Sequence, residues 1–310
     1  MKRLVPIITT LIIFGLGLSP AWAANRALVS VIFSSDIEPY QQAWSGFRTL
    51  LNDKKVAVWS SQYFIKQKNP ESIVSLVKAE KPDIILALGT RAAKFSQQYL
   101  NNFPIVYALV LNPENIEGNN ITGVLLDIPA RMELESVKKI FPEVKKIGAI
   151  YSDESLARVN ELNQAATDLG LQLIKKKIND DKELPQAVSD IAWQINCLMM
   201  VADTKIYFPQ SVKYLLLESL RQKFPVIGLS KLHTKAGALL SIDCDYYDLG
   251  RQSGELAIRV LDGEQPGSIP PERPRKVTFS LNLYSAGRLG IKFSPDIIKG
   301  SENVFGESEP

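Results

Sequence analysis

The stretch from Lys81 to Val110, KPDIILALGTRAAKFSQQYLNNFPIVYALV, decides the fold. It holds two apolar runs, Ile84–Leu88 and Ile105–Val110, in which hydrophobic residues follow one another without alternation. Such runs are typical of strands buried on both faces of a parallel sheet. Between them, Ala92–Leu100 has the spacing of a helix, and Gly89-Thr90 stands at the turn from strand to helix. The segment therefore predicts a right-handed βαβ unit.

The same alternation of strand and helix continues on both sides of this unit. Further strands are predicted at Ala27–Phe33, Val56–Ser60, Ile147–Tyr151, Leu171–Ile178, Cys197–Ala202, Val226–Leu229, Ala238–Ile242 and Val277–Leu281. Further helices are predicted at Pro39–Leu51, Pro70–Ala79, Ala130–Phe141, Ser155–Leu169, Leu184–Gln194, Pro209–Gln222 and Leu249–Leu261. About ten strands fit two sheets better than one, so the chain is predicted to be α/β with two doubly wound parallel sheets. The proline-rich segment Gln265–Lys276 predicts an extended connector.

The composition excludes several functions. The chain of 310 residues has 36 basic and 33 acidic side chains, a net charge of +3, which gives no electrostatic reason to expect a nucleic acid or an anionic membrane as partner. One histidine and two cysteines cannot build a His/Cys zinc cluster or an iron-sulfur site. We therefore expect no metal and no cofactor.

The first residues predict a secretory signal peptide. Lys2 and Arg3 precede the apolar run Leu4–Leu18, which is followed by the small-residue triplet Ala21-Trp22-Ala23. Cleavage is expected after Ala23, and no cysteine follows that could be lipidated. The alternative, an uncleaved membrane anchor, is disfavoured because the run is shorter than the roughly 20 residues that a spanning helix needs. The mature protein is therefore expected in the periplasm.

The two cysteines raise the question of a disulfide in that compartment. Cys197 begins one predicted strand, whereas Cys244 follows the end of another. In parallel strands the two sulfur atoms then lie at opposite ends of the sheet, on the order of 15 Å apart. Two free, buried or half-buried thiols are predicted.

Polar side chains follow nearly every predicted strand, at the sheet edge where open α/β proteins bind ligands. The candidate ligand contacts are Ser34, Ser35, Asp36, Tyr40, Thr90, Tyr107, Asn112, Tyr151, Ser152, Ser155, Asp203, Asp245 and Tyr246. Ser, Thr and Asp are also ordinary helix N-caps, and an isolated tyrosine packs in a core as readily as it stacks on a ligand. Thr90 is the most attractive candidate, because its hydroxyl lies beside free helix N–H groups that suit a carboxylate or phosphate.

Sequence support for catalysis is weak. The single histidine, His233, is not accompanied by a Gly-x-Ser-x-Gly motif, and the mature chain contains no phosphate-binding Gly-x-x-x-x-Gly-Lys-Ser/Thr loop. We therefore expect a protein that is not an enzyme, with a secreted hydrolase as the alternative.

Six segments resemble the ABC-transporter substrate-binding family that includes tryptophan and tyrosine binders. They are FPIVYALVLNP (103–113), NNITGV (119–124), FPEVKKIGAIY (141–151), GALL (237–240), DYYDLGR (245–251) and LNLYSAGRLG (281–290). The resemblance implies a type I periplasmic-binding-protein fold, in which two lobes are joined by crossovers and hold the ligand in an interlobe cleft. It implies a first lobe of residues 24–122 and 244–270, a second of 123–243 and 271–300, and a flexible tail of 301–310.

The same resemblance implies a function. A monomer would capture a small ligand by hinge closure and deliver it to an ABC permease in the inner membrane; a sensor module for a membrane signalling protein is the alternative within the fold. The chain departs from the family at Asn112-Pro113, commonly Asp-Pro, and at Ala157-Arg158, commonly Asn-Ser, which puts one carboxylate clamp in doubt. An amino-acid-like zwitterion is one ligand that fits, with its anionic group at Thr90 or near Ser155 and its cation near Asp203 or Asp245.

Overall fold

The computed structural model of the protein describes residues 26–67, 69–111, 113 and 115–306. The first part of the chain forms a five-stranded sheet. Its strands are β1 (Arg26–Phe33), β2 (Ala57–Phe64), β3 (Ile84–Leu88), β4 (Ile105–Val110) and β5 (Ile121–Leu125), and its helices are α1 (Glu38–Asp53), α2 (Pro70–Glu80) and α3 (Thr90–Tyr99). The spatial order is β2-β1-β3-β4-β5 with every pair parallel, as Val29 opposite Ile84 illustrates.

Most of the remaining chain builds a second sheet, and α9 (Tyr246–Leu261) returns to cover the first. The other elements are α4 (Ala130–Ile140), β6 (Lys146–Tyr151), α5 (Leu156–Asp168), β7 (Gln172–Lys177), α6 (Leu184–Ile191), β8 (Cys197–Met199), α7 (Pro209–Gln222), β9 (Val226–Gly228), α8 (Lys231–Ala236), β10 (Leu240–Cys244), β11 (Val277–Asn282), α10 (Leu283–Leu289), α11 (Pro295–Gly300) and β12 (Asn303–Phe305). The spatial order is β12-β11-β10-β9-β8-β6-β7.

Each sheet is covered by helices on both faces. In the first sheet one core contains Phe47 of α1 and Leu256 of α9, and the opposite core contains Val77 of α2 and Ala93 of α3. In the second sheet, α4 and α5 cover one face while α6 and α7 cover the other. The predicted pair of doubly wound sheets is confirmed, and we call each sheet with its covering helices a lobe.

Three segments connect the lobes. The first crossover, residues 126–129, joins β5 to α4, and the second, at Asp245, joins β10 to α9. The third crossover, residues 270–276, returns from the first lobe to β11. The chain leaves the second sheet at the carboxyl end of β10 and returns to the same end of the sheet at the start of β11. β11 therefore runs antiparallel to β10, while the other described pairs are parallel. The predicted connector Gln265–Lys276 thus contains the third crossover.

Two predicted boundaries differ from the structure. Within the tail predicted to be flexible, Asn303–Phe305 form β12, which pairs with β11 through Asn303 opposite Ser280. Tertiary pairing with an existing sheet edge stabilises a strand too short to be recognised by pattern. β5 also continues to Leu125 in the first sheet, past the predicted boundary at residue 122. The division of the chain into two lobes at particular residues remains a prediction.

Local signals in the sequence are confirmed at several points. The Asn69 side chain accepts a hydrogen bond from the Glu71 N–H at 3.1 Å and caps α2. Gly170 and Gly263 follow α5 and α9 with φ of +69° and +102°, conformations that stop a helix. Cys197 and Cys244 are buried, free thiols.

The predicted signal peptide lies outside the described residues, so the structure does not test it. Within residues 26–306, as far as these are described, no helix has the length and hydropathy needed to cross a bilayer.

Candidate functional site

Ser34 and Tyr40 form the first-lobe side of the candidate site. Ser34 directly follows β1, and its N–H donates to Leu88 O at 3.0 Å while its Oγ accepts from the Ala92 N–H at 2.9 Å. The Tyr40 hydroxyl is hydrogen-bonded to Ser34. Burial raises the pKa of Tyr40, against the opposing effects of Ser34 and of nearby Arg91. The ends of β1 and β3 and the start of α3 are thereby joined in one polar cluster.

Gly89 makes this cluster possible. Its φ of +90° lies in a region that side chains other than glycine rarely adopt, and a Cβ there would lie 2.3 Å from the Tyr40 hydroxyl and 2.7 Å from Ser34 Oγ. Gly89 offers no side chain to cap α3; Ser34 Oγ instead accepts one N–H of the first turn, that of Ala92, and the positive end of the helix lies beside Thr90 and Arg91. The arrangement favours an anionic group of a ligand at this point.

Asp203 organises the second-lobe side. Its Oδ2 accepts from the Ser152 N–H at 2.8 Å and from Ser155 Oγ at 2.6 Å, and its Oδ1 accepts from the Lys205 N–H at 3.1 Å. Burial by itself would raise the pKa of Asp203, but the hydrogen bonds from Ser155, Ser152 and Lys205 hold it below its usual range. The ionised carboxylate therefore ties the loop after β6 to the loop after β8.

A second contact joins the same two loops. The Glu154 carboxylate accepts from the Thr204 N–H at 3.0 Å and from the Thr204 hydroxyl at 2.9 Å. Tyr151 lies half-buried at the end of β6, at the base of these loops.

Asp245 and Tyr246 lie at the second crossover. Asp245 caps α9 by accepting from the Asp248 N–H at 2.9 Å, and its other oxygen is 2.6 Å from Lys276 Nζ. The Tyr246 hydroxyl donates to Asp243 Oδ1 at 3.2 Å. Asp245 is thus neutralised within the chain, which leaves less of its charge for a ligand cation.

Asp243 is the carboxylate that the sequence analysis missed. It lies in β10 and accepts the Lys231 N–H at 2.8 Å on Oδ2, besides Tyr246 on Oδ1. Burial raises its pKa, and the hydrogen bonds from Lys231 and Tyr246 oppose that effect only in part. The signal in the sequence that could have identified Asp243 is its position directly after the predicted strand Ala238–Ile242. In the structure its carboxylate lies between the start of α8 and the second crossover.

One ion pair spans the cleft. Lys231 Nζ, at the start of α8 in the second lobe, lies 3.1 Å from Glu38 Oε2, at the start of α1 in the first. The polar loops at the strand ends of both lobes therefore border a common cleft.

Arg158, at the position where the resemblance implies a serine, is bound to acidic side chains. Its guanidinium contacts Glu133, Glu161 at 2.7 Å and Asp127 at 3.8 Å. These partners lie on α4, α5 and the first crossover. The charge of Arg158 is therefore paired with carboxylates beside the crossovers that join the lobes, which we call the hinge.

The remaining candidates occupy other environments. Tyr107 is 1% exposed in the core between the first sheet and α3, and burial raises its pKa to about 12. Ser35 is half-buried, whereas Asp36 is exposed and accepts from Gln41 Nε2 at 2.9 Å. Asn112 lies outside the described residues. Among the residues that the structure describes, no three His, Cys, Asp or Glu side chains are grouped to hold a metal ion.

Two sheet lobes with a polar cleft at their strand ends define a bilobal ligand-binding protein. Residues 29–305 match the model of the family described as ABC transporter substrate binding protein. A tyrosine-binding protein of Clostridioides difficile is 30% identical over 241 residues, which cover 74% of this chain and 69% of that protein. The chain belongs to the ABC transporter substrate-binding protein family and so has a small-molecule ligand and an ABC transporter partner.

Solved structures show the same fold. The ligand-free, open structure of a substrate-binding protein with adhesive properties from Clostridium difficile has a TM-score of 0.72 and 20% identity, covering 90% of this chain and 99% of that one. A domain from Streptococcus pneumonia in complex with L-Trp has a TM-score of 0.56 and 21% identity, covering 90% of this chain and 100% of that one. The matched family and these relatives are ligand-binding proteins.

Proposed function

We propose that the mature chain, cleaved after Ala23, is a monomeric periplasmic protein that captures a zwitterionic amino acid in the cleft and carries it to an inner-membrane permease. The observation that supports this most is the first-lobe cluster, in which Ser34, Tyr40 and the start of α3 lie together at the cleft. Hydroxyl groups and a helix start whose Ala92 N–H is bound by Ser34 Oγ are suited to a carboxylate beside Thr90 and Arg91. The tyrosine-binding relative supports the amino-acid class.

The second lobe supplies the opposite wall. Because Asp203 and Asp245 are engaged within the chain, we assign the ligand ammonium to the neighbourhood of Asp243, which has fewer hydrogen-bond donors than Asp203. An ammonium group beside Asp243 would favour the ionised carboxylate and offset the effect of burial on its pKa. Asp203 then acts indirectly, by holding the loops that form the wall.

Closure needs no covalent chemistry. A ligand that contacts both lobes stabilises the closed arrangement by its differential affinity for it, and the permease would recognise the closed form. The lobes are joined by short crossovers, so a rotation about these segments brings the Tyr40 and Asp243 walls together.

The first experiment identifies the ligand. Residues 24–310 are purified without denaturation, the co-purified small molecules are identified by mass spectrometry, and thermal shifts are screened with the twenty amino acids. Binding at about 100 times Kd adds roughly 2.7 kcal/mol to the stability of the native state. A saturable shift with the compound recovered intact supports the proposal. No shift with any amino acid contradicts the ligand class, and consumption of the compound contradicts a binding role.

A single hydroxyl tests the first-lobe wall. Tyr40→Phe is expected to weaken binding of L-tyrosine about 2- to 13-fold, because a hydrogen-bonding group contributes about 0.5 to 1.5 kcal/mol. Isothermal titration calorimetry measures the change. Tyr284→Phe is the matched control, since Tyr284 is 60% exposed on the second lobe. Equal affinity in both variants would remove Tyr40 from the site.

A further inference from the structure

The Arg273 side chain connects three parts of the hinge. From the third crossover, its Nε donates to Asp127 O at 3.1 Å and its Nη2 to Ile128 O at 3.2 Å, both in the first crossover. Nη2 also pairs with the Asp127 carboxylate at 2.5 Å, and Nη1 reaches Glu161 on α5 at 2.8 Å. One guanidinium of the third crossover therefore contacts the first crossover and a helix of the second lobe.

The backbone of the third crossover is fixed to the first lobe. The Glu272 N–H donates to Gly123 O at 2.9 Å and the Leu125 N–H donates to Glu272 O at 2.8 Å, so this segment extends the edge of β5. The buried Gln252 of α9 donates to Arg273 O at 3.2 Å. Arg273 is therefore anchored in one lobe by its backbone while its side chain holds a helix of the other.

The neighbouring cations of the same segment have different partners. Arg275 pairs with Asp248 at 2.9 Å and Glu255 at 2.7 Å, both on α9. Lys276 pairs with Asp245 at the second crossover, at 2.6 Å. Of the ion pairs described for this crossover, the one between Arg273 and Glu161 reaches a second-lobe helix.

The cluster around Arg273 is strongly charged and partly buried. The carboxylates of Asp127, Glu133 and Glu161 surround the guanidinium groups of Arg158 and Arg273. Glu133 is 13% exposed and Arg158 21% exposed, so their charges are screened less than those of surface pairs. Removal of Arg273 would leave three carboxylates around one arginine, and so uncompensated negative charge where α4, α5 and the first crossover meet.

We propose that Arg273 is a positioning residue that sets the angle between the two lobes. Its fork of N–H groups holds the first crossover and α5 in one geometry, and rotation of the second lobe must pivot about these contacts. The same contacts narrow the range of open conformations from which a ligand is captured. The inference concerns the lobe angle in the absence of ligand and goes beyond the proposed function.

Pulsed electron paramagnetic resonance measures this angle as a distance. Spin labels are placed at Lys94→Cys on α3 and Lys213→Cys on α7, two exposed positions in different lobes; the native cysteines are buried. The full mature chain is measured without ligand, as wild type and as Arg273→Gln. The variant is expected to give a distance distribution shifted or about twofold broader, since a hinge released from one of its contacts samples more orientations.

The control and the conservative variant separate this role from general stability. Arg259→Gln removes an exposed pair with Glu264, 2.6 Å apart within the first lobe, and should leave the distribution unchanged. Arg273→Lys keeps the charge but lacks the planar fork, so an intermediate distribution is expected. A wild-type distribution in folded Arg273→Gln, or equal broadening in Arg259→Gln, would overturn the proposal.

A second variant tests the same contact if Arg273→Gln does not fold. Glu161→Gln weakens the α5 end of the same contact and is expected to broaden the distribution in the same direction; an unchanged distribution overturns the proposal. Titration with L-tyrosine then reports affinity separately. An absence of L-tyrosine binding contradicts the proposed ligand class, whereas the distances measured without ligand judge Arg273 alone.

Discussion

Asp203 shows how a buried carboxylate can remain ionised. Two donors on Oδ2 and one on Oδ1 replace the water that burial removes, so the pKa lies below its usual range although the side chain is 3% exposed. The negative charge of Asp203 therefore stabilises the folded state, whereas a buried carboxylate without these hydrogen bonds would destabilise it.

Asp203→Asn is expected to lower the free energy of unfolding by about 1 to 3 kcal/mol at pH 7, because the amide N–H then faces the Ser152 N–H in one orientation or the Lys205 N–H in the other. Since the folded-state pKa lies below the unfolded value, the stabilisation is fully present above about pH 4 and is lost as the pH falls through the folded-state pKa. Urea unfolding of both proteins between pH 3 and 8 measures the difference.

The exposed carboxylate of Asp36 provides the control for this measurement. Asp36→Asn should change the unfolding free energy by no more than about 0.5 kcal/mol at pH 7, as surface substitutions usually do. A difference between wild type and Asp203→Asn that stays constant down to pH 3 would contradict the assigned role of Asp203.

Strand position alone was insufficient to separate acidic residues with different partners. Asp203 and Asp245 were predicted at the same sheet edge because they follow predicted strands, and Asp243 also follows one of these strands although it was not among the candidates. Their partners Ser152, Lys231 and Lys276 are distant in sequence, so only folding shows which carboxylate is already paired.

At the scale of elements, the backbones of α1 and α9 pack closely against each other in the first lobe. A Cβ on Gly46 would lie 1.9 Å from Tyr247 O, and a Cβ on Gly250 would lie 1.9 Å from Ala43 O. The two backbones touch at these glycines, and this contact docks α9 on the first lobe directly after the second crossover.

Gly250→Ala is expected to cost about 1 to 3 kcal/mol of unfolding free energy, because the added methyl group meets backbone that cannot move aside. Gly254→Ala on the same helix should cost less, since its Cβ would meet the flexible Leu50 side chain at 2.8 Å. Chemical unfolding of both variants gives the comparison. An equal or larger loss for Gly254→Ala would contradict the close backbone contact.

The direction of side chains on β4 was not predictable from its apolar run. Leu109 has a φ of +59°, and the pairing of β4 with β5 shifts register between Ala108 and Val110. Tyr107 points into the core shared with α3, whereas Leu109 lies in the core on the opposite face. A continuous hydrophobic run predicts burial on both faces, but it carries no alternation that would tell one face from the other.

At the scale of the molecule, the Glu38–Lys231 pair joins the lobes across the cleft. The side chains are 64% and 34% exposed, so the pair resembles surface ion pairs of modest strength. Its two residues follow β1 and β9, and their contact depends on the angle between the lobes.

A double-mutant cycle of Glu38→Gln and Lys231→Gln is expected to give a coupling energy of about 0.2 to 1 kcal/mol that decreases in 1 M salt. The coupling energy is measured by chemical unfolding of the wild type and the variants with and without saturating ligand. Ligand should change the coupling, because closure of the lobes moves Glu38 relative to Lys231. The pair Asp53–Arg251, 2.9 Å apart between α1 and α9 of one lobe, is the control whose coupling should not respond to ligand. A response of the control alone would contradict the cleft-crossing role.

The sequence by itself determined the α/β class, the two sheets and the sheet edge at which polar residues gather, because these follow from local periodicity and from strand–helix turns such as Leu88-Gly89-Thr90. Only the tertiary structure decided the direction of β11, the pairing of β12, the burial of Tyr107 and the partners of Arg158 and Arg273. These depend on contacts between distant segments, such as Arg273 with Asp127, that no local pattern encodes.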